Sequence, residues 1–163
     1  MSDVLRKCQL FENLDEEHIS RIEELAERRE LAPGDKLFEL GAEAEQVFVV
    51  LDGTVELCVP LTIHGAIREV AIASEEAGAT LGWSAFVKPY RFRLSARAAT
   101  AASIASFERA ALHRLIDQDS GFGCVILGRI AEIISQRLLT VQALWARELQ
   151  RKITEDAQMR TRG

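Results

Sequence analysis

The sequence predicts an α+β fold: a short N-terminal helix, a double-stranded β-helix of jelly-roll type, and a long C-terminal helix. Two observations predict it: helical apolar spacing near both ends of the chain, and short β-like runs separated by turn residues between them. With 48% apolar and 28% charged residues, the 163-residue chain has the composition of a folded globular protein. We expect one domain over residues 1–150 and a frayed tail over 151–163.

The first helical pattern runs from Asp15 to Arg29. Acidic residues at positions 15–17 favour the positive N-terminal end of a helix. The apolar residues of this segment recur at helical spacing: Leu14, Ile19, Ile22, Leu25 and Ala26. The triplet Pro33-Gly34-Asp35 ends the pattern, so the segment predicts a short amphipathic helix.

From Lys36 onward the chain predicts strands. The Asp52-Gly53 pair between two apolar runs predicts a tight hairpin whose flanking strands pair, because glycine tolerates the positive φ of such a turn. Gly41 and His64-Gly65 mark two further turns. Several short strands in succession favour a jelly roll. The candidate strands are Lys36–Leu40, Gln46–Asp52, Thr54–Val59, Arg68–Ala73, Phe92–Ala98 and Ser103–Glu108.

One long helical pattern runs from Ser120 to about Ile153 and carries two apolar stripes. The first alternates spacings of four and three, as a coiled-coil seam does: Leu127, Ala131, Ile134, Leu138, Val141 and Trp145. The second stripe lies beside it: Ile126, Ile130 and Ile133. We expect one stripe to cover the β core and the seam to join a second copy of the chain in a homodimer. The alternative is that both stripes pack within one chain.

Three local phrases, in this order and spacing, carry a resemblance to a known family. They are Leu10-Phe11-Glu12-Asn13-Leu14, Leu31-Ala32-Pro33-Gly34-Asp35 and Phe48-Val49-Val50-Leu51-Asp52-Gly53-Thr54-Val55. With the element order, they make the chain similar to the regulatory domain of the catabolite activator family, a cyclic-nucleotide-binding domain. The resemblance covers nearly the whole chain and implies a sensor domain.

The resemblance also implies a phosphate-binding cassette, in which a Gly-Glu pair opens a short helix and Arg-Ser/Thr-Ala follows about ten residues later. Gly82 occupies the position of the cassette glycine. Trp83 occupies the position of the glutamate, whose carboxylate would accept a hydrogen bond from a ribose hydroxyl. Arg93 lies ten positions after Trp83, yet Leu94 and Ser95 follow it instead of Ser/Thr-Ala. The cassette is therefore only half present.

Two further arginines are candidates for the cassette arginine. Arg91 or Arg97 could be the counterpart if the loop is shifted. If residues 91–98 form one strand, Arg91, Arg93, Ser95 and Arg97 share a cationic face, while Phe92, Leu94, Ala96 and Ala98 share the core face. The alternative is a solvated face on which the arginines only provide solubility.

Backbone N–H groups at a helix start favour an anion, and those of Trp83, Ser84 and Ala85 would serve here. The indole of Trp83 either stacks on a ligand or plugs the vacated pocket, and plugging predicts weak or absent binding of ordinary cyclic AMP.

The predicted function is a regulatory, signal-transducing module that acts by interaction with a partner protein. The alternative is a sensor of a cyclic nucleotide or another small anion.

Charge and composition argue against several other functions. A net charge of −5 gives no broad cationic surface for nucleic acid, and no apolar run is long enough to cross a membrane. Cys8, Cys58 and Cys124 form no CxxC pair, which favours a reducing cytosol. After Trp145 the chain has room for no helix-turn-helix domain, so we expect either a stand-alone module or a truncated chain; the basic residues there are Arg147, Arg151, Lys152, Arg160 and Arg162.

Catalysis is also not expected. The histidines His18, His64 and His113 are widely spaced without an HxH or HxxxH pair, so the sequence predicts no metal site. Cys58 has no neighbouring histidine and is expected to pack rather than react. No nucleophile-elbow, Walker-type or zinc-protease motif occurs, and we expect neither a cofactor nor an enzyme.

Overall fold

The computed structural model describes residues 1–160, and side chains up to residue 155. Residues Met1–Ile130 form one compact unit, and a second unit begins at Ala131. Within the described residues, no helix has both the length and the apolar character needed to cross a membrane.

Two helices precede the strands: α1 (Ser2–Lys7) and α2 (Glu16–Leu25). Asp15 caps α2, because its Oδ1 accepts from the backbone N–H of His18 at 2.9 Å. The predicted extension of this helix to Arg29 is wrong. Residues Glu27–Leu31 form a strand that pairs along its whole length with Ala102–Ser106, and this pairing overrides the local helical pattern.

The strands form two four-stranded sheets. Their bounds are β1 (Glu27–Leu31), β2 (Lys36–Phe38), β3 (Gln46–Asp52), β4 (Val55–Ile63), β5 (Ala66–Glu75), β6 (Thr80–Leu81), β7 (Ser95–Ala98) and β8 (Ala102–Glu108). One sheet has the order β1-β8-β3-β6 and the other β2-β7-β4-β5, with antiparallel pairing throughout. The predicted α+β class is confirmed.

The glycine between β3 and β4 does not form the predicted hairpin, and that prediction is wrong. Strand β3 pairs with β6 and β8, whereas β4 pairs with β5 and β7, so the chain passes from one sheet to the other at Gly53. Gly53 has φ +80°, and a Cβ there would lie 2.2 Å from the carbonyl oxygen of Ala101. The glycine is required for the close approach at this corner. The hairpin between β4 and β5 instead turns at His64-Gly65, where a turn is predicted.

After β8 come α3 (Arg109–Gln118) and α4 (Ser120–Arg160). Helix α4 continues past the predicted end near Ile153; of the predicted basic tail, Arg162 lies outside the described residues. The two predicted stripes differ in exposure. Ile126, Ile130 and Ile133 are buried, while Leu127, Leu138, Val141 and Trp145 are exposed and Ile134 is half-buried.

Candidate functional site

The predicted cassette lies between β6 and β7. Gly82 has φ +77° and is followed by a single 3₁₀ turn, Trp83–Phe86, called here the cassette turn. The predicted strand from Phe92 is too long, since β7 begins at Ser95. The backbone of Phe92 instead bonds to the turn at Gly41 and Ala42, accepting at 2.9 Å and donating at 3.0 Å, and this draws it out of the strand.

Gly82 lies against the protein's own interior. A Cβ at this position would be 2.9 Å from the backbone oxygen of Gln46 and 3.3 Å from the rings of Phe48 and Phe92. The sequence predicts that this glycine lets a ligand approach the backbone. In the structure, strand β3 and two aromatic rings surround the position that a Cβ would take, so the glycine allows close packing within the protein.

Three aromatic rings fill the space beside Gly82, and we call them the phenylalanine cluster: Phe38, Phe48 and Phe92. The rings of Phe38 and Phe92 stack with centroids 4.1 Å apart, and Phe38 and Phe48 are 5.7 Å apart. Because Phe38 belongs to β2 and Phe48 to β3, the cluster joins the two sheets. Only Phe92 is expected from sequence to face the core, and it is 6% exposed.

The residues of the cassette turn are held by α3. Ser84 and Ala85 are buried and Trp83 is half-buried. The Nε2 of His113 donates to the carbonyl oxygen of Ala85 at 3.2 Å, and its ring stacks on Phe86 with centroids 5.7 Å apart. The turn is therefore fixed to the first helix that follows the sheets.

The three candidate arginines have different partners. The Nε and one terminal nitrogen of Arg97 donate to the same oxygen of Glu56, at 3.0 and 2.9 Å, and this carboxylate raises the pKa of the guanidinium. Arg91 donates to the backbone oxygen of Gly41 at 2.8 Å. Arg93 is exposed, and the described part of the chain records no hydrogen bond or ion pair for it. Of the three, Arg93 alone offers an unengaged guanidinium.

The two residues after Arg93 do not extend a cationic surface. Leu94 is half-buried, and Ser95 is buried with its hydroxyl accepting from the backbone N–H of Leu40 at 3.1 Å. The predicted single face of Arg91, Arg93, Ser95 and Arg97 is thus wrong, because the strand covers only the last four of the eight residues and Ser95 points into the protein.

The two buried cysteines offer no reactive thiol, and the described residues offer no metal site. Burial raises the pKa of the Cys8 thiol to about 11 and raises that of Cys58, so neither is a thiolate at neutral pH. Among the described side chains, residues 1–155, there is no group of three His, Cys, Asp or Glu that could hold a metal ion. A groove of about 180 Å³ lies away from the cassette, between α2 and α3, and is lined by Arg21, Glu24, Leu25, Ala111, Arg114, Leu115 and Gln118.

Two antiparallel four-stranded sheets, a glycine-led turn between β6 and β7 and a long C-terminal helix define the architecture of the described residues. The family model of the cyclic nucleotide-binding domain matches residues 28–119, more than half of the chain. The chain therefore belongs to the cyclic nucleotide-binding domain family. A search of curated protein sequences finds no significant match.

Solved structures with the same fold include three bacterial proteins. A protein of Geobacter metallireducens GS-15, provisionally described as cyclic nucleotide-binding, is 25% identical, with a TM-score of 0.69 over 84% of this chain and 97% of its own. A cyclic nucleotide-binding domain from Methylobacillus flagellatus KT is 18% identical, with a TM-score of 0.74 over 89% and 80%. The catabolite activator protein of Thermus thermophilus is 20% identical, with a TM-score of 0.68 over 85% of this chain and 62% of its own.

Proposed function

We propose that the protein is a non-catalytic regulatory module that does not bind cyclic AMP or cyclic GMP tightly and acts as a homodimer on a partner protein. The observation that supports the first part is the close packing of Gly82, where a Cβ would lie 3.3 Å from the rings of Phe48 and Phe92. Raised thiol pKa values support a non-catalytic role, and three free cysteines fit a reducing cytosol.

A nucleotide at the cassette would lack its usual polar partners. Trp83 has no carboxylate to accept a hydrogen bond from a ribose hydroxyl. The guanidinium of Arg97 already forms an ion pair with Glu56. Each buried polar group of a ligand left unpaired costs ~1–3 kcal/mol.

Isothermal titration calorimetry of the wild-type protein with cyclic AMP and with cyclic GMP tests this proposal. We expect no dissociation constant below about 10 µM, which corresponds to roughly −7 kcal/mol. A tighter constant for either nucleotide would contradict it. Thermal unfolding of the same sample, run in parallel, verifies that the protein is folded when it fails to bind.

A second candidate function is the sensing of another small anion, and the unengaged guanidinium of Arg93 favours it. A thermal-shift screen against nucleotides and small anions tests it, because a ligand at 100 times its dissociation constant stabilises a fold by ~2.7 kcal/mol. The shift should disappear in Arg93→Gln. It should persist in Arg68→Gln, which removes the same charge from an exposed position on β5.

The homodimer is proposed from the exposed seam on α4. Leu138, Val141 and Trp145 expose 55%, 55% and 66% of their surface, so covering them with a second copy removes apolar area from water. Cys124 is also exposed and precedes Leu127 by three residues, which continues the four-three alternation. In a parallel coiled coil the residues of such a seam face their own copies.

Cross-linking through Cys124 tests both the dimer and its parallel direction. Mild copper-phenanthroline oxidation should convert the wild-type protein to a covalent dimer, since a disulfide needs Cα atoms about 4.4–6.8 Å apart. The Cys124→Ser variant should remain uncross-linked because Cys8 and Cys58 are buried. An antiparallel pair centred on Leu138 would hold the two Cys124 residues roughly 40 Å apart, so no cross-link would form.

A further inference from the structure

His18 on α2 makes contacts that the proposed function does not use. Its Nδ1 lies 2.7 Å from Oδ1 of Asp15, and its Nε2 lies 3.1 Å from Oδ2 of Asp119. The imidazole also stacks on Phe122 of α4, with centroids 5.1 Å apart and planes inclined by 12°. One side chain thus connects the start of α2, the junction between α3 and α4, and the first turn of α4.

The two carboxylates determine the protonation state of this ring. An ionised carboxylate only accepts hydrogen bonds, whereas a neutral imidazole has a single N–H donor. With a carboxylate oxygen on each ring nitrogen, only the imidazolium can donate to both. When the ring loses its proton, one aspartate oxygen faces a nitrogen lone pair.

The same two aspartates also cap helices. Oδ1 of Asp15 accepts from the backbone N–H of His18 at the start of α2, and Oδ1 of Asp119 accepts from the N–H of Phe122 at the start of α4, both at 2.9 Å. The positions of the carboxylates are therefore fixed by the backbones of the two helices. The imidazolium links two helix starts through groups that are already held in place.

We propose that His18 is a pH-sensitive clamp: its imidazolium fastens the start of α2 to the start of α4, and loss of its proton releases this joint. The clamp would adjust the helix that carries the proposed dimer seam. It lies wholly within the unit Met1–Ile130 and does not depend on dimerisation.

The charged groups facing the ring support this direction. Hydrogen bonds to Asp119 and then Asp15 outweigh burial and raise the pKa of His18 above its ordinary 6.5. The backbone N–H groups of Phe122 and His18, together with the imidazolium, lower the pKa values of Asp119 and Asp15 below 3.8. Arg21, which lies one turn further along α2, donates to Gln118, and Arg129 of α4 contacts Glu12.

The sign of the pH dependence follows from these directions. A histidine whose pKa is raised on folding stabilises the fold fully below its unfolded pKa of 6.5, and this contribution is lost as pH rises through the folded value. The aspartates contribute above their unfolded 3.8 and lose their contribution as pH falls through their lowered values. Between pH 3.8 and pH 6.5 the imidazolium and both carboxylates are charged and the clamp is complete. Above the folded pKa of His18 the imidazolium loses its proton and the clamp opens.

Proton NMR of the imidazole C–H resonances tests the clamp, because the chain has only three histidines to assign. We expect His18 to titrate above 6.5, and its pKa to move down in Asp119→Asn, whose amide oxygen can still cap α4. Hydrogen-exchange protection of the Phe122 and Gly123 amides should fall several-fold as wild-type His18 deprotonates. In His18→Gln this protection should not change over the same pH range.

A His18 that titrates at or below 6.5, or a titration that leaves the protection of the Phe122 amide unchanged, would overturn the proposal. If His18→Gln fails to fold, the wild-type and Asp119→Asn titrations still decide it. The same titration is expected in a Leu138→Glu variant. A monomeric wild-type protein whose His18 titrates above 6.5 would contradict only the dimer, and a dimeric wild-type protein whose His18 titrates at or below 6.5 would contradict only the clamp.

Discussion

The phenylalanine cluster and the outer face of α4 are both rich in apolar side chains but differ in how they are covered. In the cluster, Phe48 and Phe92 expose 2% and 6% of their surface, and both rings lie against Phe38 of β2. On α4, Leu138 and Trp145 are more than half exposed. The first region buries its apolar surface within the chain, whereas the second leaves it exposed, as the proposed dimer interface would.

The comparison separates two properties that a cyclic nucleotide-binding domain can combine. The cassette glycine remains, but its neighbours are side chains of the same protein. The seam on α4 remains exposed and regular over several helical turns. This pattern supports the proposal that association, rather than nucleotide binding, carries the regulatory role.

The largest expected effect comes from opening the cluster. Phe92→Ala removes a buried ring and leaves a cavity between the sheets, which should lower the free energy of unfolding by ~3–5 kcal/mol. Urea denaturation measures the loss. The neighbouring Arg93→Ala, at an exposed position, should change stability by less than about 0.5 kcal/mol. A loss below about 1 kcal/mol for Phe92→Ala would show that the rings do not fix the two sheets.

The next largest effect concerns the seam. Leu138→Glu would bury unpaired charge in the dimer, a change worth ~3–5 kcal/mol, so the dimer dissociation constant should rise at least about 100-fold. Sedimentation velocity measures it. Leu139→Glu is the matched control, because Leu139 is 62% exposed but lies about 100° further round the helix. A wild-type protein that sediments at 18.1 kDa at tens of micromolar would contradict the dimer.

A smaller effect distinguishes close packing from backbone strain at glycine. Gly82 and Gly65 have nearly equal φ values of +77° and +79°, but a Cβ at Gly65 would meet no atom within 4 Å. Gly65→Ala should therefore cost about 1–2 kcal/mol from its conformation alone. Gly82→Ala should cost at least about 1 kcal/mol more, since the Gln46 backbone and two rings would have to shift. Equal losses of stability for the two variants in thermal unfolding would mean that a Cβ at Gly82 fits without displacing its neighbours.

The smallest expected effect is that a single substitution in the cassette does not restore cyclic AMP binding. Trp83→Glu restores the carboxylate implied by the family resemblance, but Leu94 and Ser95 still depart from the pattern and the cluster remains in place. Calorimetry with cyclic AMP should still give no constant below about 10 µM. Tight binding by this single variant would show that the rest of the cassette is competent and that Trp83 alone blocks it.

The fold could be predicted from sequence where the local pattern and the long-range pairing agree. Strand β3 has the predicted bounds, Gln46–Asp52, because a run of apolar β-formers leads up to a turn residue. The segment Glu27–Leu31 shows the opposite case: four of its five residues are charged, and only pairing with β8 makes it a strand. The partner of β3 was likewise not readable, because a glycine turn can end a hairpin or start a crossing between sheets.

The candidate site could be predicted only in part. The sequence predicted that Gly82 precedes a short helical turn and that Phe92 is buried, since one follows from motif position and the other from alternation. It could not show that Phe38 and Phe48 meet Phe92, because two of these rings lie on different sheets and the third lies in the segment before β7. It also missed the link between His18 and Asp119, which are 101 positions apart.

The position of β8 affects how the protein folds during its synthesis. Strand β8 is the last strand in the chain but lies between β1 and β3, so each of these N-terminal strands lacks a neighbour until residues 102–108 emerge. At about 5–20 residues per second, the ribosome needs several seconds to extend the chain from β1 to β8. During that time the edges of two strands are open, and self-association of the nascent chain competes with folding until β8 inserts.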